Sequence, residues 1–100
     1  MLYPFCKYED ETEVSFSDIK INDKNEECIY IHFERPTENG FDCIRFELPS
    51  YKIVYTEGNY SKEEISLFKK IVEQGAPYFY KWSREGGIVP FLNSRWHMSV

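Results

Sequence analysis

Positive charge is in short supply in this chain: twelve Lys and Arg stand against seventeen Asp and Glu, and there are only two histidines. The shortage is concentrated in residues 1–60, with 13 acids against 6 bases, whereas residues 61–100 carry 4 acids against 6 bases. A duplex-binding protein needs a basic stripe that releases counterions from phosphates, and the first sixty residues cannot supply one, so nucleic acid is disfavoured as a partner. Long hydrophobic runs are lacking too. No stretch approaches the roughly 20 apolar residues that cross a bilayer, and Met1-Leu2-Tyr3-Pro4-Phe5 has neither the basic nor the hydrophobic region of a signal peptide. A cytoplasmic location with no membrane partner is expected. Cysteine is sparse: Cys6, Cys28 and Cys43 are odd in number and without CxxC spacing, which suits a reducing compartment better than a disulfide framework. His32 and His97 lie 65 positions apart in no HxH or HExxH pattern, so no metal is implied. Gly86-Gly87 follows a helical pattern instead of preceding one, so it reads as a helix stop and not as a phosphate loop. No cofactor is implied either.

Aromatic residues, by contrast, are plentiful, with eight Phe, eight Tyr and two Trp in 100 residues. That excludes a disordered chain and gives one domain a core without help from metal or disulfide. Tyr3 to Tyr8 reads as a strand, closed by the acidic turn Glu9-Asp10-Glu11-Thr12-Glu13. Val14 and Phe16 share one strand face, but Ile19 and Ile21 have the opposite parity, so a bulge or bend is expected near Ser17-Asp18. The polar run Asn22 to Glu27 should close a hairpin into the clearest strand, in which Ile29, Ile31 and Phe33 alternate with Cys28, Tyr30, His32 and Glu34. With Arg35-Pro36-Thr37-Glu38-Asn39-Gly40 as the loop, alternation resumes with Ile44, Phe46 and Leu48. In that register Glu34 faces Phe41, His32 faces Cys43, Tyr30 faces Arg45, and Ile31 meets Ile44 on the other face. Tyr51 to Tyr55 reads as a further strand, ended by Glu57-Gly58-Asn59.

Ser61-Lys62-Glu63-Glu64 is a capping box and starts a helix whose apolar stripe is Ile65, Phe68 and Val72, broadened by Leu67 and Ile71. Gly75-Ala76-Pro77 is expected to break or kink it, with residues 78–82 continuing as helix and placing Phe79 and Trp82 inward. The expected architecture is α+β: an antiparallel β-meander of four to five strands with one kinked C-terminal helix packed on one face. Residues 1–87 form the domain, and residues 88–100 form a C-terminal arm or an extra strand. The run from His32 to Lys52 resembles small bacterial reading frames, a resemblance that implies no activity and no functional residue.

Three function classes compete. A thiolate nucleophile needs an imidazole beside it, which makes Cys43 with His32 the catalytic candidate. Lys62, Lys69, Lys70, Lys81 and Arg84, with Tyr78, Tyr80 and Trp82, combine bases and stacking rings as a single-strand binder does, although Glu63, Glu64, Glu73 and Glu85 balance them. The reading preferred over both is a non-enzymatic protein-interaction module. Tyr30, His32 and Arg45 on the outward strand face, with Phe91 and Trp96 in the terminal segment, are its candidate contacts, because aromatic rings and Arg anchor protein interfaces. The partner is a protein with a basic surface, or a second copy forming a homodimer.

Overall fold

In the computed structural model, which describes residues 2–86, the alternating runs become strands of one antiparallel sheet. The elements are β1 (Leu2–Lys7), β2 (Glu13–Ser17), β3 (Lys20–Ile21), β4 (Glu27–Thr37), β5 (Gly40–Leu48), β6 (Lys52–Glu57) and α1 (Lys62–Glu85). The sheet runs in meander order β1-β2-β4-β5-β6, and the two-residue β3 pairs with β4 beyond the end of β2. Val14, Phe16, Ile29, Ile31, Phe33, Ile44, Phe46 and Leu48 all turn to one face and are buried. Helix α1 lies across that face with Phe68, Val72, Ala76 and Phe79, completing a two-layer α+β domain. Phe33 stacks on Phe68 with centroids 4.2 Å apart, and Phe16 meets Phe79 at 5.4 Å. Each such buried ring removes enough apolar surface from water to stabilise the fold by about 1.5–3 kcal/mol. No residue of β6 belongs to this buried cluster, and all six are exposed.

The expected slip near Ser17-Asp18 is present. β2 pairs Phe16 with Ile31, whereas β3 pairs Lys20 with Cys28, so the register along β4 moves by one residue between them. Ser17 occupies the corner and satisfies it: its Oγ accepts the Tyr30 N–H at 2.9 Å, and its carbonyl accepts the Ser83 hydroxyl of α1 at 2.7 Å. Both serines are buried. The slip brings Ile19 against the core but leaves Ile21 exposed beyond its edge.

Two expectations are corrected. The β4–β5 hairpin closes with Thr37 opposite Gly40, so only Glu38 and Asn39 form the turn and the strands continue through the anticipated six-residue loop. Pro36 is admitted because it has the parity of Tyr30, whose N–H turns toward β2, and β2 pairing ends at Glu34. The longer strands move every facing pair by two: His32 faces Arg45, Glu34 faces Cys43, Tyr30 faces Glu47, and Ile31 faces Phe46. In the helix, Gly75-Ala76-Pro77 makes no break: α1 runs through it to Glu85, 24 residues in all, with residues 78–82 helical as expected. Pro77 lies on the exposed side with Glu73, so the i−4 hydrogen bond that proline removes is lost on the solvent side of the helix. The capping box is formed as expected, with Glu64 N–H donating to Ser61 Oγ at 3.1 Å and Ser61 N–H to Glu64 Oε1 at 2.9 Å. Leu67, assigned to the apolar stripe, points outward instead and is 55% exposed.

Candidate interaction face and edge strand

The face of the sheet opposite α1 carries Tyr30, His32, Cys43, Arg45 and Glu47. Arg45 is its centre. Its Nε donates to His32 Nδ1 at 3.4 Å on one side, and its guanidinium lies 5.2 Å from the Tyr55 ring centroid on the other. Burial and the neighbouring Arg45 charge push the His32 imidazole down to about 4, so the ring is a neutral acceptor. Cys43 Sγ donates to Glu34 Oε2 at 3.3 Å, and burial together with the Glu34 carboxylate pushes the thiol up to about 11. These are the opposite of what nucleophilic catalysis requires. The imidazole bonds to Arg45, and the thiol is held protonated by a carboxylate.

Tyr30, Arg45, Glu47, Lys52 and Val54, with the Asn22–Glu26 turn, line a depression of about 600 Å³ on this face. Next to it runs β6, the last strand of the sheet among the described residues. All six of its residues are exposed, and Ile53, Val54 and Tyr55 are 43%, 44% and 42% exposed. Its pairing with β5 skips Val54 between Phe46↔Ile53 and Arg45↔Tyr55, a bulge that turns both Val54 and Tyr55 outward beside Arg45. The opposite edge, β1, is blunted by Pro4 and a bulge of its own. β6 has no proline and presents exposed β-branched and aromatic residues that are not part of the buried core, the composition of a strand able to accept another strand.

The most completely built polar site was not anticipated. Arg35, assigned to a loop, lies within β4 and engages four of its five N–H donors: Nε and Nη2 to Asp42 Oδ2 at 3.1 and 2.8 Å, Nη1 to Asp10 Oδ2 at 3.0 Å and to Glu64 Oε2 at 2.7 Å. Its guanidinium sits 4.4 Å from the Tyr60 centroid. Asp42 Oδ1 accepts the Asn59 N–H at 2.9 Å, and the Tyr60 hydroxyl meets Thr12 Oγ1 at 3.2 Å. The Asn59 amide and then Arg35 hold the Asp42 carboxyl below its ordinary range, and the Ser61 amide and Arg35 do the same for Glu64. A guanidinium so occupied has little left for an anionic ligand. It clamps the β1–β2 turn, β4, β5 and the start of α1 together.

The helix does not assemble the basic aromatic platform considered from sequence. Trp82 is half-buried against Phe5 and Phe16, at 5.8 and 6.0 Å, and Tyr80 is half-buried with Arg84 beside it at 5.7 Å. Tyr78 alone of the three rings is exposed. Phe91 and Trp96, the candidates in the terminal segment, lie outside the described residues, as does all of residues 88–100. No helix among the described residues is long and apolar enough to cross a membrane. Comparisons with protein-family models, with curated proteins and with solved structures returned no match to this chain.

Proposed function

We propose that this protein is a non-enzymatic protein-interaction module that binds a protein along β6 and the adjoining outer face, with Arg45, Tyr55, Tyr30 and His32 as contacts. The observation that carries this reading is β6 itself, a proline-free edge strand that pairs with β5 on one side and with no other strand among the described residues, and whose three large apolar residues are each more than two-fifths exposed. Such a strand offers backbone donors and acceptors for affinity, and the flanking side chains supply specificity. Three unpaired thiols support a cytoplasmic setting. The raised Cys43 thiol and the lowered His32 imidazole argue against the thiol-enzyme alternative.

The test compares the wild-type chain with Arg45→Glu and Thr56→Pro. Alternation from Tyr30 turns the Arg45 N–H toward β6, the Tyr55 N–H toward β5, and the Thr56 N–H to the free edge, so proline at 56 removes a free donor and not a ladder bond. The expected result is a stoichiometric protein partner, identified by mass spectrometry and reconstituted from pure components, that both variants lose while far-ultraviolet circular dichroism stays unchanged. Binding indifferent to both substitutions overturns the reading.

A further inference from the structure

The partner that β6 fits best is another β6. We propose that two copies of this chain pair β6 against β6, antiparallel about a two-fold axis, to join their sheets into one; this rests on the edge-strand reading above and names its occupant. The strand reads Lys52-Ile53-Val54-Tyr55-Thr56-Glu57. Antiparallel self-pairing sets Lys52 opposite Glu57, Ile53 opposite Thr56, and Val54 opposite Tyr55, so each end closes with opposite charges and the centre with apolar contact.

Two independent geometric conditions select this register. First, paired residues in a sheet must share a face. Lys52, Val54, Tyr55 and Glu57 lie outward with Glu47, Arg45 and Cys43, whereas Ile53 and Thr56 pair with the core residues Phe46 and Ile44. The bulge therefore makes the strand palindromic in its facing, and registers shifted by one residue either way would set inward Ile53 against outward Tyr55 or Glu57. Second, the hydrogen-bonding groups must point outward in matching places. Lys52, Tyr55 and Glu57 turn toward β5, leaving Ile53 and Thr56 directed to the free edge, and these are the two residues that the register sets opposite each other. A bulge ordinarily protects an edge by breaking its match with a regular strand. A second copy carries the same bulge, and the two coincide at the centre.

Sedimentation equilibrium over a range of protein concentrations tests this on the full chain. The wild type is expected to be a dimer in reversible equilibrium with monomer. Lys52→Glu and Glu57→Lys, each placing like charges opposite one another twice, should weaken dimerisation by about tenfold, and the double exchange should restore it. Thr56→Pro should leave a monomer with an unchanged circular dichroism spectrum. A wild-type monomer at every concentration, a dimer indifferent to Thr56→Pro, or a double exchange that restores nothing would each overturn the self-pairing. If the wild type is monomeric but holds a different protein that Thr56→Pro releases, the edge-strand reading survives and only its occupant is wrong. If Thr56→Pro changes neither self-association nor partner binding, both fall.

Discussion

Acidification from pH 7.5 to 5 should destabilise this protein through one side chain, His32. Its ring is half-buried on the outer face, with Nδ1 accepting from Arg45 Nε at 3.4 Å, an arrangement open only to the neutral imidazole. Burial first and the Arg45 charge second hold its pKa at about 4, against 6.5 for the unperturbed group. The folded value is the lower one, so the unfolded chain takes up the proton more readily. The contribution of the neutral ring is complete above pH 6.5 and is lost as pH falls from there toward about 4. At pH 5 these values favour the unfolded chain by roughly thirtyfold, about 2 kcal/mol, and solvent screening of a partly open ring reduces this to about 1–2 kcal/mol. In a domain of this size that is a fall in Tm on the order of 4–16 °C. Urea unfolding of wild type and His32→Gln at both pH values isolates the effect, since His97 and the carboxylates are common to the two proteins. Equal losses of stability in wild type and variant would refute the reasoning, as would an NMR titration placing the His32 imidazole at pH 6 or above.

Other outcomes follow from the clamp, the corner and the thiol. Gly58 has φ +85°, and a Cβ there would overlap Asp42 Oδ1 and lie 2.8 Å from Asp42 Cα, so Gly58→Ala should cost about 3 kcal/mol through left-handed strain and loss of the Asn59–Asp42 bond. Urea midpoints read this directly, and a loss under about 1 kcal/mol would show that the Asp42 bonds matter little. Ser17→Ala leaves the Tyr30 N–H without its acceptor and should cost about 1–3 kcal/mol, accompanied by faster amide exchange at Tyr30. With Cys6 and Cys28 replaced by Ser, Cys43 should react with a disulfide reagent at pH 7.5 far more slowly than a free thiol, since a rise from 9.0 to about 11 cuts its thiolate about a hundredfold. Rapid, stoichiometric labelling would reopen the case for nucleophilic chemistry.

What could be read from the amino acids alone was whatever depends on near neighbours in the chain. Alternation from Ile29 to Phe33 and from Ile44 to Leu48 announced the central strands, Ser61 and Glu64 announced the helix start, and the parity change between Phe16 and Ile19 announced the slip at Ser17. The hairpin register was misjudged because Pro36 and Asn39-Gly40 together look like one loop. Pro36 is harmless in a strand whose other neighbour has already ended, and that depends on where β2 stops. Arg35 was missed for a related reason: its partners Asp42, Asp10 and Glu64 stand 7, 25 and 29 positions away and converge only after folding. Tyr30 and Arg45 were placed on the correct face, because face depends only on parity, whereas His32 and Cys43 were wrongly made neighbours, because neighbours depend on register. The special standing of β6 was invisible, since a strand's place at an edge is a property of the whole sheet.

That place divides the molecule by what restrains its sequence. A substitution in β5 must fit between Phe33, Phe68 and their neighbours or the domain loses stability. Side chains of β6 are held to this less strictly, because none of them belongs to the buried core. Change in β5 is therefore filtered chiefly by folding, whereas change in β6 leaves the buried core as it is. Under the proposed function, binding preference can shift through a single strand while the rest of the chain stands still.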